Sequence, residues 1–405
     1  MQQLDQFTSE LHEWSLNGTE PSTASRDLRY FLDLQEKRLK RSGTVREEEF
    51  THSEGDISGC SCRSENGYSS KILYREAVQH ITYRQNGKQL KKIRRPVTLY
   101  ASFVDKEGYE DRAYTCPNCG HTLTALQARD GCPYCGTFFE TDEVYPCVST
   151  YYTAPGIVER AGLEEKLKKE MIKAGTICGI VVLILCFISW NELDMIFRIL
   201  GSLLAGGFYG VVFAFLWYMT RSMIMALKLF KEAGRAVPLL KTINTRKKML
   251  EFMKEYDPDF SYEAFEGRVI SLLRIIAFAD DRDTLSVWEG DRDLSSLDDI
   301  VDMQYRGAVY IRRFEEKDHL LRVEGTAYLT DTYIRNNVRE KDEKIRFVLE
   351  KEAEGHADPG FSIHRVSCPS CGGSFDAMHQ SHCPYCGTPY DLKKKDWIIK
   401  DMQKA

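Results

Sequence analysis

The chain has 405 residues, 28% of them charged, and a formal net charge of −5 at pH 7. This length suffices for two or three domains with cores of their own. Because the charge balance is slightly acidic, composition argues against a nucleic-acid-binding protein that is basic overall. The first residues show no basic start followed by an apolar run, so we predict no secretory signal peptide. Thirteen cysteines without such a signal indicate a reducing, cytoplasmic compartment.

Residues 1–70 are predicted to form a region of helices and loop. Helical patterns over residues 4–17 and 25–41 are each followed by a glycine, the usual stop signal of a helix. The Gly-, Ser- and Glu-rich stretch 44–70 is predicted to be a polar loop. Three residues of this loop are candidates for part of a third metal site: His52, Cys60 and Cys62.

Residues 71–150 are predicted to form a β-rich module that carries a first zinc ribbon. An Asn-Gly pair at Asn86 and Gly87 supplies the positive backbone torsions of a tight hairpin turn, so we predict a hairpin over residues 81–90. The strand that follows leads into the ribbon and has alternating apolar residues. These are Val97, Leu99, Ala101 and Phe103.

A metal-binding module occurs twice in the sequence as an internal repeat. Each copy has two Cys-Pro-x-Cys-Gly turns, in which proline fixes one torsion, glycine accepts a positive one, and backbone amides point at the sulfurs. Two such turns close a tetrahedral site of four thiolates, so we predict one structural Zn²⁺ per ribbon, two in all. The predicted ligands are Cys116, Cys119, Cys132 and Cys135 in ribbon 1, and Cys368, Cys371, Cys383 and Cys386 in ribbon 2.

Two other chemistries use similar cysteine pairs. Cys-Pro-Tyr-Cys is also the tetrapeptide of glutaredoxin-type redox sites, which need a helix N-terminus after a strand. Here Gly-Thr follows each copy and a second pair precedes it, which favours a ribbon. Rubredoxin-type iron usually has more widely separated pairs, so zinc is preferred. A closed four-thiolate site has no open coordination position, and we identify no catalytic constellation, so we predict a protein that is not an enzyme.

Residues 174–220 are predicted to form a transmembrane helical hairpin. Apolar stretches at 174–190 and 196–220 flank a five-residue polar break, and a helix needs about 20 residues to cross a bilayer. A basic linker helix, 151–173, precedes the hairpin, and the connector carries no positive charge. The positive-inside rule therefore predicts a protein of the cell inner membrane with two helices and both termini in the cytoplasm. The flanking basic residues are Lys166, Lys168, Lys169, Lys173, Arg221, Lys228, Lys231 and Arg235.

Small residues recur every four positions in both apolar stretches, and such faces let helix backbones approach closely. They pack either within the hairpin or in a homo-oligomer, and the sequence leaves both open. Neither stretch has a charge at its middle, which argues against a channel or pump. The small residues are Gly175 and Gly179, and Ser202, Gly206, Gly210 and Ala214.

Residues 221–256 combine basic and apolar residues in what we predict to be amphipathic helices. Many lysines and arginines lie between Arg221 and Lys254, close to the second membrane helix. Basic amphipathic helices in such a position commonly lie on anionic lipid. We therefore expect this segment to contact the bilayer surface.

Residues 257–403 are predicted to form an α+β domain. An opening helix reaches about residue 279, residues 295–303 form a short helical part, and five strands follow at 309–314, 320–333, 345–349, 361–366 and 397–402. Ser261 is the predicted N-cap of the first helix. The second ribbon, at about 367–390, is then an insertion between the last two strands.

Two segments of this region carry a family resemblance. The opening Asp257-Pro-Asp-Phe260-Ser with Phe265, and the closing Asp396-Trp397-Ile398-Ile399, resemble the Tim-forty-four-like family, the C-terminal domain of the mitochondrial import-motor tether, and its bacterial zinc-ribbon-containing membrane relatives. The resemblance covers residues 257–402. It implies a cone-shaped α+β fold of the nuclear-transport-factor-two type at a membrane surface, with a groove for a protein or lipid ligand.

These features lead us to expect a membrane-anchored, zinc-stabilised binding or scaffold module at the cytoplasmic membrane surface, an accessory in protein transport or membrane-protein handling. Alternatives are a zinc or redox sensor, an oligomeric transporter subunit, and an enzyme that uses the cone as a pocket. For the enzyme, candidate acids such as Asp280 and Asp331 have no partner that the sequence identifies. Nucleic acid is disfavoured because the ribbons have few basic or aromatic residues between their cysteine turns.

Overall fold

The computed structural model describes most of the chain. The described residues are 1–53, 56–65, 68–106, 113–116, 118–128, 131–137, 145–155, 159–192, 194–258, 260–334, 337–353 and 366–405. They fall into two compact units, one of Met1–Ala154 with Pro238–Ala405 and one of Pro155–Val237. We call the first the two-sheet unit and the second the helical unit. The predicted separation of residues 1–150 from 257–403 is thus replaced by one unit that contains both.

The N-terminal half of the two-sheet unit has two long helices, one short helix and a main sheet of five strands. Its strands pair in the order β1-β3-β4-β7, and β2 also pairs with β3. The elements are α1 (Gln2–Asn17), α2 (Arg26–Arg41), β1 (Thr44–Thr51), β2 (Ser58–Glu65), β3 (Tyr68–Gln85), β4 (Lys88–Lys106), β5 (Ala113–Thr115), β6 (Thr122–Thr124), α3 (Ala125–Ala128) and β7 (Cys147–Pro155).

The predicted hairpin is confirmed, and the predicted loop 44–70 is wrong. Asn86 and Gly87 join β3 to β4 with φ values of 50° and 78°. The loop instead contains β1 and β2, both paired with β3. Hydrophobic periodicity could not reveal β1, because its buried positions are polar: Thr44, Arg46 and Glu48.

The C-terminal half repeats this plan. Its strands pair in the order β8-β9-β10-β13, and Ser261 caps α6 by accepting a hydrogen bond from the Ala264 amide, as predicted. The predicted helical part 295–303 is a single 3₁₀ turn, Ser295–Leu297, before β8 begins. Most of the predicted strand 361–366 lies outside the described residues. The elements are α6 (Tyr262–Phe278), β8 (Ile300–Lys317), β9 (Leu320–Ile334), β10 (Val338–Glu352), β11 (Val366–Ser367), β12 (Ser374–Phe375) and β13 (Ile398–Lys404).

The two halves are therefore structural repeats. In each, a helix precedes an edge strand, a long hairpin, a cysteine ribbon and a closing strand that pairs with the second arm of the hairpin. The internal repeat that the cysteines reveal in the sequence extends in the structure to the whole half. Each ribbon is an insertion at the same place, before the closing strand.

One core joins the halves. Buried residues of α1, α2, α6 and both sheets form a single apolar cluster. Where α2 meets α6, the rings of Phe31 and Phe278 make an edge contact at 5.3 Å. The guanidinium of Arg38 lies 4.5 Å from the centre of the Phe278 ring, and that of Arg274 lies 4.8 Å from the centre of Phe31. Each helix thus places an arginine against a phenylalanine ring of the other, so the two halves bury these rings together.

The helical unit contains the predicted hairpin. Helix α4 spans Glu159–Ser189 and α5 spans Met195–Met253. Within them, Leu167–Ser189 and Met195–Ile224 have mean hydropathies of 2.5 and 2.0, and both are long and apolar enough to cross a membrane. Helix α5 continues to Met253 without a break at 221, and the side chains of residues 225–243, which include most of the predicted lipid-contacting lysines, lie outside the described part of the chain.

The small-residue faces meet inside the hairpin. A methyl group placed on Gly179 would lie 2.9 Å from the carbonyl oxygen of Gly206, and one on Gly206 would lie 2.7 Å from that of Gly179. Gly175 faces Ala214 and Gly210 in the same way. Of the two open interpretations, the structure shows packing within the hairpin.

Candidate metal centres

Each cysteine pair forms the same tight turn. In ribbon 1 the Gly120 amide donates to the Cys116 carbonyl at 2.9 Å, and in ribbon 2 the Gly372 amide donates to the Cys368 carbonyl at 2.8 Å. The second pair of each ribbon makes the matching bond. All four glycines that follow a pair have φ between 70° and 72°, a left-handed conformation that glycine adopts without strain. They are Gly120, Gly136, Gly372 and Gly387.

The turns bring all eight predicted cysteines together as two groups of four. In each group the sulfurs lie within 4.8 Å of one another, and the closest pairs between turns are 3.6 Å apart in ribbon 1 and 3.5 and 3.6 Å apart in ribbon 2. A disulfide would need about 2.05 Å. Four thiolates around zinc, each at about 2.3 Å, have sulfurs about 3.8 Å apart. The spacing thus fits a tetrahedral metal ion, which either group could hold.

Hydrogen bonds prepare one exposed sulfur in each ribbon for the thiolate form. The Thr137 hydroxyl lies 3.3 Å from the Cys135 sulfur, and this hydroxyl together with the Thr137 amide lowers the pKa of Cys135 to about 6. The Thr388 hydroxyl and amide lower the pKa of Cys386 to about 6 in the same way. Metal ligation requires deprotonated thiols, so both threonines favour it. The sequence signal for this feature is the Gly-Thr that follows each Cys-Pro-Tyr-Cys.

The two ribbons differ in how they attach to the unit. In ribbon 1 the buried residues Cys116, Leu123, Ala128 and Cys132 form a small cluster of their own, with half-buried Tyr114 packed against it. In ribbon 2 the buried residues belong to the main core. Met378 there is fully buried, and its carbonyl accepts a hydrogen bond from the Ser286 amide at 2.7 Å. Ribbon 2 is therefore part of the core in a way that ribbon 1 is not.

The candidate third metal site does not form among the described residues. Cys60 and Cys62 are exposed on β2, and no His, Cys, Asp or Glu of the described chain joins them to complete a group of three. The His52 ring contacts Arg75 at 3.0 Å instead. The pair is therefore two free surface thiols.

A buried ion network lies where the halves join, and sequence reasoning missed it. Arg46 of β1 bridges Glu48 and Asp302 of β8, each at 2.9 Å, and their side chains are at most 5% exposed. Gln35 of α2 donates to Asp302 at 2.8 Å. No local pattern links residue 46 with residue 302, so only the fold reveals these partners.

The two candidate acids have different environments. Asp280 is exposed and pairs with Arg41, so it is a surface ion pair. Asp331 is completely buried, 3.3 Å from the Lys404 ammonium and 3.4 Å from the Tyr333 hydroxyl, and burial raises its pKa to about 6. The structure thus supplies the partners of Asp331 that the sequence could not.

Comparison of the chain with family models, curated proteins and solved structures finds no match. Fold and site alone define the class: a protein with two helices that could span a membrane, two four-cysteine groups that could hold a metal ion, and β-rich sheets.

Proposed function

We propose that the protein is a membrane-anchored, zinc-stabilised binding module that holds the two-sheet unit at the cytoplasmic surface of the inner membrane. One observation carries the proposal: the apolar hairpin interrupts a unit that is made from the chain on both of its sides. Residues 1–154 and 238–405 share one core, so a bilayer that separated them would break it. Both flanks therefore lie on one face, and the flanking lysines and arginines favour the cytoplasmic one.

Zinc is the metal that best suits both centres. Closed four-thiolate tetrahedra are structural zinc sites, and the chemistry they supply is folding energy, on the order of 10 kcal/mol for small modules. In ribbon 2 that energy would also hold Met378 in the shared core. Neither centre would then act on a substrate.

The resemblance of residues 257–402 to the Tim-forty-four-like family supports a binding role toward a polypeptide or lipid near the inner leaflet, as an accessory in protein transport or membrane-protein handling. The ribbons offer a contact surface for a polypeptide. Tyr134 and Tyr385 occupy the same position in the two Cys-Pro-Tyr-Cys turns and are 64% and 71% exposed. Exposed tyrosines commonly anchor protein partners, since they bury a large ring and retain a polar tip.

Topology and contacts can be tested together in intact cells. A photo-crosslinking amino acid replaces Tyr134 or Tyr385, and the exposed Leu16 of α1 serves as the matched control position. We expect adducts with a membrane-associated polypeptide or a lipid at the tyrosine positions and none at Leu16. Tags at both termini should be digested by protease in inverted vesicles but not in spheroplasts. Protection of one tag in inverted vesicles, or identical adducts at all three positions, would contradict the proposal.

A further inference from the structure

Two surface thiols belong neither to the four-cysteine groups nor to the helices that could span a membrane. Cys60 and Cys62 are both exposed, and their sulfurs lie 3.0 Å apart. They stand two residues apart on β2, so their side chains project from the same face of the strand. Cys60 lies opposite Leu73 of β3, and Cys62 lies opposite Lys71.

This pair differs from every other cysteine in the described part of the chain. The ribbon sulfurs are gathered in two groups of four, within 4.8 Å of one another, whereas Cys60 and Cys62 have only each other. Cys147 is buried and Cys178 and Cys186 lie half-buried on a helix that could span a membrane. Two thiols in near-contact that solvent also reaches form a redox-accessible dithiol.

We propose that Cys60 and Cys62 are a thiol–disulfide exchange site that closes into an intramolecular disulfide by reaction with a low-molecular-weight disulfide of the glutathione class. This activity goes beyond the membrane-anchored binding role and does not depend on it.

The exchange balances in two steps. One cysteine thiolate attacks a sulfur of the small disulfide, which forms a mixed disulfide and expels one small thiolate. The neighbouring cysteine then attacks the protein sulfur of that mixed disulfide, forms the Cys60–Cys62 bond and expels the second small thiolate. The two cysteine protons end on the two released thiols, so the dithiol is oxidised by two electrons and the small disulfide is reduced by two.

The local charges assign an order to these steps. The hydrogen bond to Cys62 raises the pKa of Cys60, and the Lys71 ammonium opposes that rise. Lys71 faces Cys62 directly across the strands, so we assign the first attack to Cys62, beside this cation, and the resolving role to Cys60.

The strand geometry makes the disulfide easy to reduce again. Residues two apart on a strand have Cα atoms about 6.6 Å apart, close to the upper limit of about 6.8 Å for disulfides. A bond closed at that limit is strained, and strained exposed disulfides are the labile ones. The site would thus cycle with the glutathione pool.

The test uses the full-length, zinc-loaded protein in detergent, equilibrated with mixtures of reduced and oxidised glutathione. Free thiols are then blocked with a maleimide, and the peptide that carries both cysteines is weighed. We expect wild type to give a peptide that carries no maleimide and is about 2 Da lighter than the unmodified dithiol peptide, because it holds an internal disulfide. Cys60→Ser should instead accumulate glutathione on Cys62, at least about tenfold more than wild type, because the resolving thiol is lost. Cys147→Ser is the matched control and should behave as wild type.

Three results would overturn the proposal: wild type accumulating as much glutathione adduct as Cys60→Ser, disulfides forming between two copies of the chain, or ribbon cysteines oxidising before this pair. Metal content measured on the same samples identifies the last result. It also shows that Cys60→Ser is folded, since an intact variant keeps the metal content of wild type.

Discussion

Replacing one cysteine in each ribbon separates the two ways in which the ribbons attach to the unit. Cys383→Ser and Cys132→Ser each remove a buried sulfur from a four-cysteine group, and each should lose one of two bound metal ions. The variants are matched in chemistry and burial. They differ in what the ribbon holds: ribbon 2 places Met378 in the main core, whereas the buried residues of ribbon 1 form a separate cluster.

The expected magnitude follows from that burial. When ribbon 2 loses its metal and unfolds, Met378 leaves the core, and removing a buried methionine side chain costs about 2 to 5 kcal/mol. For a unit of a few hundred residues this corresponds to a fall of roughly 3 to 7 °C in the unfolding midpoint. Cys132→Ser should lower the midpoint of the main transition by less than about 2 °C. Both variants should still fractionate with membranes, because the apolar hairpin is untouched.

Thermal unfolding followed by circular dichroism in detergent, with zinc measured on the same samples, checks this contrast. Equal falls in the two variants would refute the different attachment of the ribbons. Loss of metal from Cys383→Ser with an unchanged midpoint would refute the role of ribbon 2 in the core.

Three further substitutions test other parts of the structure. Because burial raises the pKa of Asp331 to about 6, the folded protein favours its neutral form and loses stability as pH rises from about 4 to 6. Asp331→Asn should therefore raise the free energy of unfolding in urea by about 3 kcal/mol at pH 8 but only about 1 kcal/mol at pH 4.5; an equal gain at both pH values would contradict this. Gly179→Leu should break the hairpin seam and speed proteolysis in vesicles, whereas Gly207→Leu, which meets nothing within 4 Å, should not. Arg38→Met removes buried hydrogen bonds to three carbonyl groups and should cost roughly 3 to 5 kcal/mol in urea unfolding, against less than about 1 kcal/mol for the exposed Arg41→Met; similar costs would argue against the shared core.

Local chemistry was readable from the sequence where neighbouring residues determine it. The Asn86–Gly87 turn, the Ser261 cap and the cysteine turns each depend on a few adjacent side chains, and the structure has all of them. The two apolar helices were equally legible, since hydropathy alone defines them. Hydrophobic periodicity failed at β1, where the buried residues form ion pairs instead of apolar contacts.

Long-range organisation was not readable. Phe31 and Phe278 are in contact in the shared core although 247 positions separate 31 from 278. No sequence pattern near either residue predicts this contact. The repeat of the two halves could not be predicted for a related reason. Only the cysteine turns have similar residues in both halves, whereas the strands share only their order in the sheet. The apolar hairpin between the halves also predicts a domain boundary, whereas the chain before it and the chain after it form one unit.

Metal content of the full-length protein, purified in detergent under reductant, is the most direct test of the two four-cysteine centres on which the proposed module depends. Elemental analysis should find two zinc ions per chain, held without added metal and released only when the thiols are modified or acidified. Protein that is folded under reductant but contains no bound metal would contradict both centres, and one zinc per chain would remove one of them.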